Sequence, residues 1–234
     1  MRTKIGILLI KFRKNLLIAN LKLSDFFNLK SASLYATQPV QYVLGKNKEG
    51  KIVRNLIELA IGFAAFKHTG QVRKGTSIPY ISHPFAVGMM LQQAGESEEV
   101  IAAGILHDTL EDTATTEEEI RTVFGEQVLL LVKAASEPDK SRPWEDRKRH
   151  TVSKLAARSR EELAIIVADK LHNLRSIRLD LEETGEEVWN RFNRGKEQQE
   201  WYYRGIVNAL ISRHRELAMA EELKEEVARV FGNQ

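Results

Sequence analysis

ILHDTLEDT, residues 105–113, sets an imidazole and three carboxylates within less than two helical turns. On a helix, positions i and i+4 share a face, so His107 is expected over Glu111 and Asp108 over Asp112. The preceding run, Val100 to Leu106, is mostly apolar (VIAAGIL). Burying that much charge beside an apolar run is unfavourable unless a counter-charge is present. A divalent cation meets the need, because it pairs with carboxylates and is ligated by neutral imidazole.

The rest of the chain narrows the chemistry. Its 234 residues suffice for one domain with a substantial core and an additional arm. Hydrophobic content of 43% and charged content of 29% are ordinary for a globular protein in water. No cysteine is present, which removes disulfides, thiolate metal sites and a cysteine nucleophile, and leaves nitrogen and oxygen ligands for any metal. The same absence fits a reducing compartment, and a cytoplasmic location is expected. Residues 1–50 hold nine Lys or Arg against Asp25 and Glu49, so the remainder is mildly acidic. That remainder shows no basic stripe of the kind that nucleic-acid binding requires, and no nucleic-acid partner is expected.

Residues 1–50 read as a basic N-terminal extension and residues 51–234 as the main domain. The run Ile5 to Ile10 (IGILLI) is too short to span a bilayer, and short for a secretory signal. An organelle transit peptide, a membrane-surface helix and a loosely docked arm remain as readings, with the arm favoured. Gly45 to Gly50 (GKNKEG) is expected to be a linker.

From Ile52 onward, apolar residues recur at helical spacing (Leu56, Leu59, Ala60, Phe63). A Gly-, Thr-, Ser- and Pro-rich loop covers Thr69 to Ser82, and Ser82-His83-Pro84 opens a helix that stops at Gly95. Ser97 opens one continuous helix carrying His107 to Asp112. Thr115 or Thr116, with Glu118 or Glu119 three residues on, has the signature of a capping box. Further helices are expected over Glu126 to Ser136, from Trp144, over Glu161 to Ile177, over Glu197 to Ser212 and over Arg215 to Val230. An all-α fold follows.

Asp169 is the second anchor, a carboxylate in an apolar helix with Asn173 one turn on. Such a carboxylate is protonated, paired or ligating. Lys170 is the candidate partner, and the presence of His83 and of His107-Asp108 favours ligation. Taken together, four blocks carry a resemblance: VRKGTSIPYISHP (72–84), ILHDTLEDT (105–113), Asp139-Lys140 with Arg147-Lys148, and ADKLHNLR (168–175). In this order they resemble the HD-domain metal-dependent phosphohydrolases, and within them the alarmone hydrolases: the hydrolase domain of the RelA/SpoT enzymes and its small stand-alone relatives. The resemblance covers roughly residues 52–215 and implies an HD-domain helical bundle.

It also implies one metal ion, usually Mn²⁺, held by His83, His107, Asp108 and Asp169. Two imidazoles and two carboxylates suit Mn²⁺, Fe²⁺ or Zn²⁺ alike, so the donor set leaves the metal open. By the same resemblance Glu111 and Asp112 orient or deprotonate water, a role favoured over the alternative of a cap or a salt bridge to Arg73 or Lys74. Arg73 and Lys74 would clamp phosphate or stack on a purine, and Asn173 would lie near the ribose and phosphate. Lys140, Arg147 and Lys148 are either phosphate contacts or a solvated helix face. His172, turned about 100° from Asn173, either backs a ligand or belongs to the core. His68 is read as structural, and His150 and His214 receive no role. Trp201, Tyr202 and Tyr203 either wall a base pocket or fill the core.

The function implied is hydrolysis of the 3′-pyrophosphate of ppGpp or pppGpp to GDP or GTP. A second enzymatic reading keeps the metal chemistry but takes another nucleotide, for instance a nucleoside phosphate or NADPH. A third is a non-catalytic nucleotide sensor, against which the carboxylates at 111 and 112 speak. The stretch beyond Ser212 is shorter than the family's nucleotide-synthesising domain, so no synthetase activity is expected. Oligomeric state is not legible.

Overall fold

The structure, a computed structural model, describes residues 44–46, 52–137, 141–211 and 217–232. The extension up to residue 43, Asp139 and Lys140, and His214 lie outside the described residues. Among the described residues the fold is all-α apart from one short hairpin, in which β1 (Leu44–Lys46) pairs antiparallel with β2 (Ile52–Arg54). Two expectations change here. Gly45 and Lys46 lie in a strand instead of a linker, and Ile52 precedes the first helix instead of opening it.

Helix α1 (Leu56–Lys67) starts where the Asn55 side chain accepts from the backbone N–H groups of Ile57 and Glu58 at 3.1 and 3.2 Å. The loop that follows is pinned by Arg73 N–H donating to the Ile78 carbonyl at 2.8 Å and Tyr80 N–H to the Gln71 carbonyl at 2.9 Å. Gly75 turns it at φ 76°, a conformation that disfavours a side chain.

Helices α2 (Ser82–Gln93) and α3 (Glu98–Leu106) pack closely. Two glycines permit this. A Cβ on Gly104 would lie 2.2 Å from Leu91 Cδ1, and one on Gly88 would lie 2.5 Å from Ile105 Cγ1. The expected single helix through His107 is instead broken. It ends at Leu106, His107 and Asp108 form a turn, and the chain resumes as α4 (Thr109–Asp112). Thr109 Oγ1 donates to the Leu106 carbonyl at 2.6 Å and so meets an acceptor left over at the break.

Helix α5 (Glu117–Phe124) begins with the expected capping box, formed by Thr116 and Glu119. After it come α6 (Glu126–Ala135) and α7 (Trp144–Leu155). A second capping box, Ser159 with Glu162, opens α8 (Arg160–Thr184). This is the central element, packed by α2, α3 and α6, and by α10 as given below. Its Leu163, Ile165, Val167, Leu171 and Leu174 have no exposed surface. A helix surrounded on all sides must be apolar on all sides, which is why residues 163–168 show no polar face, whereas the later turns carry Lys170, His172 and Asn173 toward solvent. A 3₁₀ turn (Gly185–Arg191), α9 (Lys196–Ile211) and α10 (Ala218–Phe231) complete the chain. No helix among the described residues is long and apolar enough to cross a membrane.

Candidate metal and nucleotide site

Three helices deliver one cluster. His83 lies in the first turn of α2, His107 and Asp108 in the break between α3 and α4, and Asp169 in the middle of α8. Ligand atoms of His83, His107 and Asp169 all lie within 4.8 Å of one another. Asp108 Oδ2 joins them, 2.9 Å from His107 Nε2 and 3.6 Å from His83 Nε2. Asp169 Oδ1 is 3.2 Å from His83 Nε2 and 3.8 Å from His107 Nε2. The four residues that the resemblance singles out as ligands therefore converge on one buried point.

The surrounding bonds orient these groups. His107 Nδ1 donates to the Gly104 carbonyl at 2.7 Å, which turns Nε2 toward the carboxylates. That Nε2 is buried and has no hydrogen-bond partner, although Asp108 is close. In the neutral ring it is a lone pair facing two carboxylates, an arrangement that calls for a cation between them. His83 Nδ1 lies 2.8 Å from His172 Nδ1, so His172 backs a candidate ligand, one of the two roles expected of it. Burial, then the neighbouring His83 and Arg73, push His172 down to about 4, which keeps it neutral.

Electrostatics point the same way. Burial works against a charged His107, but Asp108 and Asp169 outweigh it and raise the ring to about 9. Burial lowers His83. Asp108 and Asp169 both lie below the usual carboxylate range. Burial opposes this, but His107 outweighs it for Asp108 and Lys170 for Asp169. Lys170 Nζ donates to Asp169 Oδ2 at 2.6 Å, so the pairing considered from the sequence exists beside the cluster. The cluster thus draws positive charge from whatever is near.

Tyr80 was not singled out by sequence reasoning. Its hydroxyl donates to Asp108 Oδ2 at 2.6 Å and lies 3.4 Å from Asp112 Oδ2. Burial, followed by Asp108, raises the phenol well above its ordinary value, so it remains a donor. The signal in the sequence was slight: an aromatic residue three positions before His83 in a loop. Glu111 Oε2 accepts from the Glu137 backbone N–H at 3.1 Å, and Asp112 is exposed.

A cavity of about 510 Å³ opens beside the cluster. Arg73, Lys74, Asn173 and Lys148 line it, with Tyr202 and Tyr203 on its wall. Arg73 Nη2 donates to Asn173 Oδ1 at 2.9 Å, and Asn173 Nδ2 donates to Asp169 Oδ1 at 2.6 Å. A continuous chain of bonds thus joins the loop to the cluster. Tyr202 and Tyr203 are buried and line the cavity as well, so the two readings of that aromatic run are compatible, while Trp201 is 44% exposed. Arg147 and Lys148 both pair with Glu137. His68 is buried against Tyr80, its Nδ1 2.7 Å from Gln71 Oε1.

With this geometry in hand, relatives are informative. The family described as "HD domain" matches residues 60–197. The Danio rerio protein named guanosine-3′,5′-bis(diphosphate) 3′-pyrophosphohydrolase MESH1 is 41% identical over 144 residues, covering 60% of this chain and 77% of that protein. Its Homo sapiens namesake is 38% identical over 174 residues, covering 73% and 93%. A solved structure of a metazoan ortholog of SpoT, described as hydrolysing ppGpp, matches with a TM-score of 0.62 and 29% identity, over 76% of this chain and 97% of that one. Because the family match spans most of the helical unit and the relatives align over most of their own length, this chain belongs to the HD-domain family, together with the small stand-alone ppGpp pyrophosphohydrolases.

Proposed function

We propose that this chain hydrolyses the 3′-pyrophosphate of guanosine alarmones, converting ppGpp or pppGpp to GDP or GTP with release of pyrophosphate. The observation that carries the reading is the convergence of His83, His107, Asp108 and Asp169, with His107 Nε2 lacking a hydrogen-bond partner, beside a cavity lined by Arg73 and Lys74. Relatives that bear this activity in their names support the substrate. The donor set fits a single divalent ion, and the family resemblance favours Mn²⁺. When bound, the ion supplies positive charge for the reacting phosphoryl group and makes nearby water more acidic.

The protein's own groups do the rest. Glu111 and Asp112 orient the attacking water and take its proton. The water oxygen adds to the phosphorus bonded to O3′, the P–O3′ bond breaks, and O3′ leaves as a hydroxyl after gaining a proton. Pyrophosphate departs with the oxygen of water. Arg73 and Lys74 hold the nucleotide, Arg73 lying 5.8 Å from the centre of the Tyr80 ring. Asn173 spans Arg73 and Asp169, so the nucleotide clamp and the metal site share one hydrogen-bond chain. Lys140 is assigned to substrate phosphate on the resemblance alone. A small-molecule partner, no nucleic acid and a cytoplasmic location complete the reading.

The test is pyrophosphate release from ppGpp by the purified chain, first with Mn²⁺ and then with EDTA. Release that requires the metal and is lost in His107→Ala is the expected result. Turnover of other nucleotides without ppGpp would overturn the substrate, and turnover unaffected by EDTA would overturn the metal.

A further inference from the structure

A second cavity, of about 180 Å³, lies between α6, α7 and α8. Lys170 and Tyr202 are common to both cavities, whereas Asp169 lines the smaller one. Ser136 and Glu137 form the wall of the smaller cavity, and the backbone N–H of Glu137 holds Glu111. The candidate water-activating carboxylate therefore lies on this side of the cluster. The two cavities flank the Lys170–Asp169 pair, one toward the nucleotide clamp and one away from it.

The smaller cavity has an electropositive lining. Lys133, Lys154, Arg158 and Lys170 face it, against only Glu137 and Asp169. Both carboxylates are already compensated, Glu137 by Arg147 and Lys148 and Asp169 by Lys170. Lys133 is paired with Glu117 at 2.8 Å and Arg158 with Glu162 at 3.4 Å, both carboxylates outside the lining, whereas Lys154 has no ion pair among the described residues. His150 adds two ring nitrogens without a side-chain partner among the described residues. A small cavity whose lining cations outnumber its carboxylates and include one unpaired lysine, Lys154, beside a metal-type cluster, suits a compact polyanion.

We propose that the smaller cavity receives the terminal phosphate of the 3′-pyrophosphate and then the departing pyrophosphate, while the larger cavity holds the nucleoside. This rests on the hydrolase reading above. It gives a physical reason for a 3′-diphosphate to be preferred over a 3′-monophosphate, since only the former reaches the second set of cations.

The experiment uses the full chain with Mn²⁺ in excess over all phosphates. Binding of inorganic pyrophosphate and of GDP is measured calorimetrically, and each is also measured as an inhibitor of ppGpp hydrolysis. Lys154→Glu is expected to weaken pyrophosphate binding about tenfold or more, as loss of a close charge pair would. GDP binding should be unchanged, and Lys154→Arg should behave as the unaltered chain. Unchanged pyrophosphate binding in Lys154→Glu overturns the proposal, as does an equal loss for GDP and pyrophosphate. If the unaltered chain does not hydrolyse ppGpp, the substrate reading fails, while a selective loss of pyrophosphate binding still supports the cavity assignment.

Discussion

Individual side chains here act through the groups they hold. Tyr80 illustrates this, because its hydroxyl is bonded to the same oxygen of Asp108 that faces both imidazoles. Removing that hydroxyl leaves the carboxylate free to turn. Loss of such an outer contact typically costs about 10–100-fold in metal affinity or activity. Tyr80→Phe is therefore expected to lower Mn²⁺ affinity within that range, read by metal titration, while the circular dichroism spectrum stays helical. Metal affinity equal to that of the unaltered chain would show that Tyr80 merely packs. Asn173 belongs to the same class. Its oxygen is bonded to Arg73 and its nitrogen to Asp169, so it links the loop to the cluster in addition to the substrate contact proposed for it.

Between elements, the decisive contact is the approach of α2 to α3. His83 and His107 lie on these two helices or at their ends, with ring centroids 5.1 Å apart. Gly104 serves this contact twice, leaving room for Leu91 and offering its carbonyl to His107 Nδ1. Gly104→Ala would place a methyl 2.2 Å from Leu91 Cδ1, so either the buried Leu91 side chain leaves its rotamer or the helices separate. Overpacking of this kind costs about 1–3 kcal/mol. A lowered Tm together with weakened metal binding is expected, and pairing it with Leu91→Ala should restore part of both. A Tm drop with full metal affinity would separate the packing role from the positioning role. The turn at His107–Asp108 works in the same way. By interrupting the helix it lets two adjacent residues face one centre, while Asp112 still comes within reach of Tyr80.

At the scale of the whole molecule, the described helices and hairpin belong to a unit spanning Val43–Gln234. The basic N-terminal extension contributes none of the residues assigned to the site. Removing residues 1–42, which spares the hairpin, is expected to leave Mn²⁺ binding and ppGpp hydrolysis within about twofold of the full chain, inside the scatter of context-dependent surface effects. Insoluble or unfolded protein after the deletion would show the extension to be part of the fold. The helical class was legible in the sequence because 3.6-residue periodicity and capping boxes are local signals, and Thr116–Glu119 forms as read. His83, His107, Asp108 and Asp169 were legible because ionisable residues in apolar helices need a counter-charge, and because their order in the chain resembles a known family. Tyr80, the break at His107 and the hairpin at Leu44 were decided only by tertiary structure. Each depends on partners distant in the chain or on a helix yielding to them. The same holds for the second cavity, whose lining residues come from four helices and whose charge balance depends on which ion pairs have already formed. Local pattern determines which residues can form a helix, but only packing determines which faces meet and which charges remain available.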